Sequence, residues 1–223
     1  MKDLIIYLAN SLKIENRVML EKDVILHQIL LAIMKTSFKD DYVFKGGTCL
    51  TKCHLGYYRF SEDMDFTYLH QEEFDNCSQK QMRKLISKKI DEVSSLLVTI
   101  SDTLGLVFKA DKSDKKYIML GGSNKFVTFK LWYSNQDGNN DYIKLQINYF
   151  ELILNKIIKT KAKSLYSKIP EDEFRLMFSD YLDLIENIEL LAYSPEEILL
   201  EKIRAILTRR GTKSRDYIDV YLL

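Results

Sequence analysis

The stretch FVTFKLWYSNQDGNNDYIKLQINYF, residues 126–150, constrains this chain most. Phe126, Thr128, Lys130 and Trp132 alternate with Val127, Phe129, Leu131 and Tyr133, the period of two that sets successive side chains on opposite faces of a strand. SNQDGNND has turn composition, so the segment reads as a hairpin with strands over 125–133 and 142–149. The flanking sequence has a helical period instead. Leu4, Ile5, Leu8 and Leu12 predict a helix over 2–13. Ile25, Ile29, Ala32 and Ile33, widened by Leu26, Leu30 and Leu31, predict another over 17–37. A third, over 72–101, begins in acid and turns apolar with Ile86, Ile90, Val93, Leu96 and Leu97.

Shorter elements fill the gaps. Tyr42-Val43-Phe44 reads as a buried strand meeting a tight turn at Gly46-Gly47, with Thr48 capping a short helix over 49–55. Residues 65–69 and 105–110 read as further strands. From Glu171 onward the pattern is largely helical, and YSPEEILLEKIRAIL defines its clearest helix. There Ser194 suits the N-cap, Pro195 the first helical position, and Glu196-Glu197 the positive end of the dipole. With 8 Gly and 2 Pro in 223 residues, a turn-rich all-β fold is excluded. The expected class is α+β, with a small mixed sheet flanked by helices over 1–150 and a mostly helical region over 151–223. At RDYIDVYLL a helix is only starting, as in a shortened chain.

The 33 basic and 32 acidic residues nearly cancel, so contact with nucleic acid has to use local patches. Cys49, Cys53 and Cys77 have no zinc spacing, and the better reading of Cys49 and Cys53 is core thiols. His27 and His70 read as packing or surface residues. MKDLIIYLANSL carries charge too early and too short an apolar run for a signal peptide, and no stretch approaches the roughly 20 apolar residues of a membrane span. A cytoplasmic protein without membrane contact is expected.

The chemistry concentrates in FKGGTCLTKCHLGYYRFSEDMDF, residues 44–66. Glycines at a strand-to-helix turn let backbone approach a ligand, and the helix N-terminus that follows favours an anion such as phosphate. Thr48 adds a hydroxyl and Lys52, one turn on, a cation. Asp63 and Asp65, two apart on a strand, share a face, and neighbouring carboxylates repel unless a cation joins them. Mg²⁺ is the natural choice, with Mn²⁺ an option, because it takes oxygen ligands and arrives with substrate phosphates. Met64 and Phe66 face the other way, toward a core.

GGT-x-L-x-K followed by RFSEDMDF resembles the first motif of the AbiEii/AbiGii toxin family, nucleotidyltransferases of the polymerase-beta-like superfamily found in toxin–antitoxin pairs. LEKDVILHQILLAI (20–33) is similar to that family's N-terminal Glu-Lys-Asp helix, and EEILLEKIRAILTRRGTKSRDYIDVYLL (196–223) to its C-terminal signature. The resemblance implies a polymerase-beta-like nucleotidyltransferase core. It also implies that Gly46, Gly47, Thr48, Lys52, Arg59 and Ser61 bind NTP, that Asp63 and Asp65 hold Mg²⁺, and that Lys202 and Asp219 face the nucleotide beside Arg215-Asp216.

One position departs from the superfamily, which places a third carboxylate on a neighbouring strand. Here YIKLQINYF offers Gln146 and Asn148, and an amide cannot act as general base near neutral pH. Either a carboxylate elsewhere, such as Asp219 or Asp23, takes the role or the chemistry rests on two ligands, and Lys144 on the same face is a candidate for phosphate. Lys156, Lys159, Lys161, Lys163 and Lys168 form one basic run, and Arg204, Arg209, Arg210, Lys213 and Arg215 a second. Either suits an RNA backbone or an acidic antitoxin surface. The expected activity is nucleotide transfer from an NTP to an RNA acceptor, a tRNA 3′ end first. The alternatives are transfer to a protein or small-molecule hydroxyl, or nucleotide or partner binding without turnover.

Overall fold

The computed structural model describes residues 1–122, 125–209, 211 and 213–223. Helices α1 (Lys2–Leu12) and α2 (Arg17–Met34) lie where the period placed them, and Asn16 caps α2 by accepting from Met19 N. The short α3 (Phe38–Asp41) enters β1 (Tyr42–Lys45), which turns into α4 (Gly46–Cys49) and a π-helical turn over Leu50–Leu55. Next come β2 (Asp63–Tyr68), α5 (Gln79–Leu104), β3 (Ile118–Gly121), β4 (Phe126–Ser134) and β5 (Asn140–Asn148). The chain closes with β6 (Ile157–Ala162), α6 (Glu171–Met177), β7 (Ile188–Tyr193), α7 (Pro195–Thr208) and α8 (Ser214–Leu222). No helix among the described residues is long and apolar enough to cross a membrane.

Among the described residues the strands form one mixed sheet of seven, in the order β3-β4-β5-β2-β1-β7-β6. β2 runs parallel to β5 and β1 parallel to β7, and the remaining neighbours are antiparallel. Phe44, Phe66, Ile147 and Val127 are successive register partners on one face. That face is buried against Ile25 and Ile29 of α2 and Ile86, Ile90, Val93 and Leu97 of α5. Each large apolar side chain so buried stabilises the fold by about 1.5–3 kcal/mol. On the opposite face the row Lys45, Asp65, Gln146, Thr128 crosses the same four strands. A second, smaller core joins Leu4, Ile5 and Leu8 of α1 to Tyr166, Phe174 and Leu184.

The sheet is larger than the sequence pattern implied, because residues 151–223 add β7, which pairs with β1, and β6 beyond it at the edge. IELLAY at β7 is a nearly continuous apolar run leading into α7, and such runs carry no strand period. Gly105–Ala110 is not a strand. β3 pairs with the first part of the β4 edge, Phe126 to Phe129, and Val107 makes only a single bridge, to Trp132. Helix α5 starts at a Ser78 capping box rather than at Glu72. Thr48 is not a cap either: the turn already begins at Gly46, whose φ of 75° needs a glycine, so Thr48 falls inside the first turn.

Candidate active site

The polar face of the sheet opens into a cleft of about 420 Å³. β2 contributes Asp63 and Asp65, β5 contributes Lys144 and Gln146, and Gly46, Gly47, Arg59 and Ser61 close one side. Helix α7 forms the facing wall with Glu201, Lys202, Arg204 and Ala205, Arg209, Lys213 and Arg215 stand at its mouth, and Asp216 lies buried against Lys202. Thus two walls far apart in sequence meet across the strand pair β1–β2.

Local geometry explains the glycine pair. A Cβ on Gly46 would collide with the Asp65 carboxylate, and one on Gly47 would stand 2.8 Å from Arg59 Nη2. Thr48 lies behind this surface, its hydroxyl donating to Asp63 O and, at 2.8 Å, accepting from the Ser61 hydroxyl. It therefore positions Ser61 and the start of β2.

Asp63 pairs with Lys144 at 3.2 Å. Burial pushes the Asp65 carboxyl up to about 6, opposed by Lys45 and reinforced by the charge on Asp63. Among the described residues no group of three or more His, Cys, Asp and Glu side chains is placed to hold a metal ion. Asp63 and Asp65 are oxygen donors of the kind Mg²⁺ takes, and would be the protein's share of a shell completed by substrate phosphates and water. A cation there would offset both the burial and the Asp63 charge that raise the Asp65 carboxyl.

Lys202 reaches Asp216 and Asp219, both at 2.8 Å. Asp219 lies behind the cleft, fully buried, and does not line it. It accepts two bonds from Arg59, at 3.0 and 2.8 Å, and one from Tyr58 at 2.6 Å. Against burial, which raises it, the bonds from Arg59, Lys202 and Tyr58 hold its carboxyl at about 2. Asp219 is thus an anchor for two cations rather than a spare acid.

Lys52 is also placed elsewhere than expected. It is buried, paired with Asp23 at 3.0 Å and bonded to Tyr57, so it does not reach the cleft. Asp23 accepts from Tyr166 as well, which removes it as a substitute third acid. Sequence reasoning missed Lys45, Glu151 and Glu201, which form a carboxylate–ammonium–carboxylate group in the cleft. The available signals were adjacency of Lys45 to Gly46 and of Glu201 to Lys202. The signature residue Glu197 points away from the cleft, accepting from Leu154 N at 3.0 Å and Asn155 N at 2.6 Å, and so ties the Glu151 loop to α7.

The two basic runs separate in space. Arg209 and Arg215 stand at the cleft with Arg204 and Lys213. Lys159, Lys161 and Lys163 line a different groove, of about 1060 Å³, beside Lys35 and Lys39. Lys156 is exposed and lines neither. Arg210 and the Lys168 side chain lie outside the described residues. Cys49 and Cys53 are buried thiols, as their spacing suggested, and His27 is a core residue bonded to Glu186 O.

No curated protein matches the chain. A family model described as nucleotidyl transferase AbiEii toxin, type IV toxin–antitoxin system, matches residues 28–223. The match takes in the glycine pair, both β2 aspartates and the α7–α8 wall, and begins within α2, beyond Asp23. The chain belongs to the AbiEii family of nucleotidyl transferase toxins of type IV toxin–antitoxin systems.

Proposed function

We propose that this cleft transfers a nucleotide from an NTP to an RNA hydroxyl, with a tRNA 3′ end as acceptor and Mg²⁺ as cofactor. Blocked tRNA would arrest growth, which accounts for the pairing with an antitoxin that the family implies. The observation that carries this assignment is the meeting of Asp63 and Asp65, packed against Gly46 and Gly47, with a wall of Lys202, Arg204, Arg209, Lys213 and Arg215. Carboxylates on one side and cations on the other suit a metal-bound polyphosphate. On this assignment residues 1–150 are the polymerase-beta-like core, and 151–223 complete the cleft.

Mg²⁺ held by Asp63 and Asp65 would polarise the phosphoryl oxygens at the reacting phosphorus. The chain's own groups position and compensate. Gly46 and Gly47 let phosphate lie against backbone, with no Cβ in the way. Ser61, fixed by Thr48, offers a hydroxyl at the same surface. Lys202, held between Asp216 and Asp219, offsets negative charge as pyrophosphate departs. Arg209, Lys213 and Arg215 at the mouth suit the backbone of an incoming RNA.

The test uses purified protein, Mg²⁺, total RNA and each of the four α-labelled NTPs in turn. The expected result is label in a tRNA-sized band that disappears in Asp63→Ala and in Asp65→Ala while both variants stay folded. Full activity in either variant overturns the metal assignment. Label on protein instead of RNA moves the acceptor to a protein hydroxyl, and NTP binding without pyrophosphate release makes the chain a binder without turnover.

A further inference from the structure

Register sets Gln146 beside Asp65, where an amide has no capacity for a hydroxyl proton near neutral pH. The transfer proposed above, on which this inference rests, still needs an acceptor for that proton. Most carboxylates of the cleft are committed to cations. Asp63 pairs with Lys144, and Asp216 pairs with Lys202 and, at 3.1 Å, with Arg209. Glu151 accepts from Lys45, Thr67, Tyr193 and Arg204. Glu201 differs. It projects from α7 into the cleft and, among the described residues, accepts a single hydrogen bond, 2.8 Å from Lys45 Nζ.

Lys45 is the register partner of Asp65, so the group it gathers lies next to the two β2 aspartates. It also serves both glutamates, and one ammonium compensates only one carboxylate. Burial, opposed by Lys45 and reinforced by Glu151, pushes the Glu201 carboxyl up to about 7. Glu151 is held below its usual range, since Lys45 and Thr67 outweigh its burial. The other groups facing Glu201 are Tyr193 of β7 and Cys49 of α4, both pushed up by burial and so neutral. Arg204 of α7 is turned to Glu151 at 3.4 Å.

We propose that Glu201 is the proton acceptor of the transfer, standing in from α7 for the carboxylate that β5 lacks. The acceptor hydroxyl oxygen bonds to the α-phosphorus and the bond from that phosphorus to the bridging oxygen breaks. Pyrophosphate leaves with the electron pair, and the hydroxyl proton passes to the Glu201 carboxylate. Lys45 steadies the carboxylate before transfer. Glu151 keeps Lys45 paired once Glu201 is neutral.

Single-turnover transfer measured against pH is the test. The wild type is expected to rise through about pH 7 to a plateau. Glu201→Gln is expected to lose about 100-fold or more in rate, to lose that limb, and to keep its NTP affinity. Glu201→Asp is expected to recover part of the rate with the limb displaced. Carbon-13 NMR gives a readout free of turnover: the carboxyl resonance missing from Glu201→Gln titrates near 7 in the wild type. Transfer with an unchanged limb in Glu201→Gln overturns the proposal alone. Should Glu201→Gln not fold, a limb in Glu201→Asp identical to wild type overturns it equally. A wild type that labels no acceptor with any NTP overturns the functional assignment, and this inference with it.

Discussion

Asp219 and Asp23 are both buried carboxylates held by cations and tyrosines, yet they serve different parts of the molecule. Asp219 gathers Arg59, Lys202 and Tyr58 at the back of the cleft, and both cations also line it. Asp23 gathers Lys52, Tyr57 and Tyr166 in the interior, joining α2 to the π-helical turn and to the segment after β6. Consecutive tyrosines, Tyr57 and Tyr58, serve opposite clusters. The difference teaches that polar chemistry alone does not mark a functional site. What marks it is whether the cation held by the carboxylate retains a face toward open space.

Removing either carboxylate tests that contrast, with the interior cluster giving the larger change in stability. Asp23→Ala leaves Lys52 buried and unpaired and is expected to cost about 3–5 kcal/mol, read by urea denaturation. The folded fraction should bind NTP as the wild type does, and a parallel loss of affinity would merge the two clusters. Asp219→Ala is expected to cost less, about 2 kcal/mol, because Arg59 and Lys202 can recruit water from the cleft. Its transfer rate should nonetheless fall about 100-fold or more. A fall in stability with unchanged rate would make Asp219 purely architectural.

Acid tests the Asp219 cluster. The folded-state carboxyl of Asp219 sits at about 2 against an ordinary 3.8, so it binds its proton less readily than in the unfolded chain. Its contribution, again about 2 kcal/mol, is present above pH 4 and is lost as pH falls through about 2. The stability gap between wild type and Asp219→Asn should therefore shrink across that window, and a gap independent of pH would remove the ionic assignment. The smallest expected effect concerns the two grooves. Arg209→Ala should lower the salt dependence of RNA binding by about one unit of slope, whereas Lys159→Ala should leave it unchanged. Equal effects would extend the RNA path to the second groove.

Much of this was legible in the sequence because the relevant periods are local. The hairpin of β4 and β5, both N-terminal helices, and the common face of Asp63 and Asp65 follow from periods of two and 3.6. Lys52 and Arg59 were not separable that way. Both lie between the glycines and the aspartates, and only the π-helical turn sends one to Asp23 while the other meets Asp219. Glu201 escaped for the same reason: its partners Lys45 and Glu151 are 156 and 50 positions away. β6 read as a charge run, because Lys159 and Lys161 alternate with only a threonine and an alanine.

The register of the sheet ties tolerance to change with accuracy of the site. Lys144 and Gln146 alternate along β5 with Ile143, Leu145 and Ile147, which are fully buried. A slip of one residue would bring those apolar groups into the cleft and drive the polar ones into the core. Hydrophobic sorting is thus the ruler by which β5 is aligned on β2, and the polar row needs no stabilising energy of its own to stay in place. Residues on that row are free to be exchanged for new chemistry, so long as the greasy face behind them is kept.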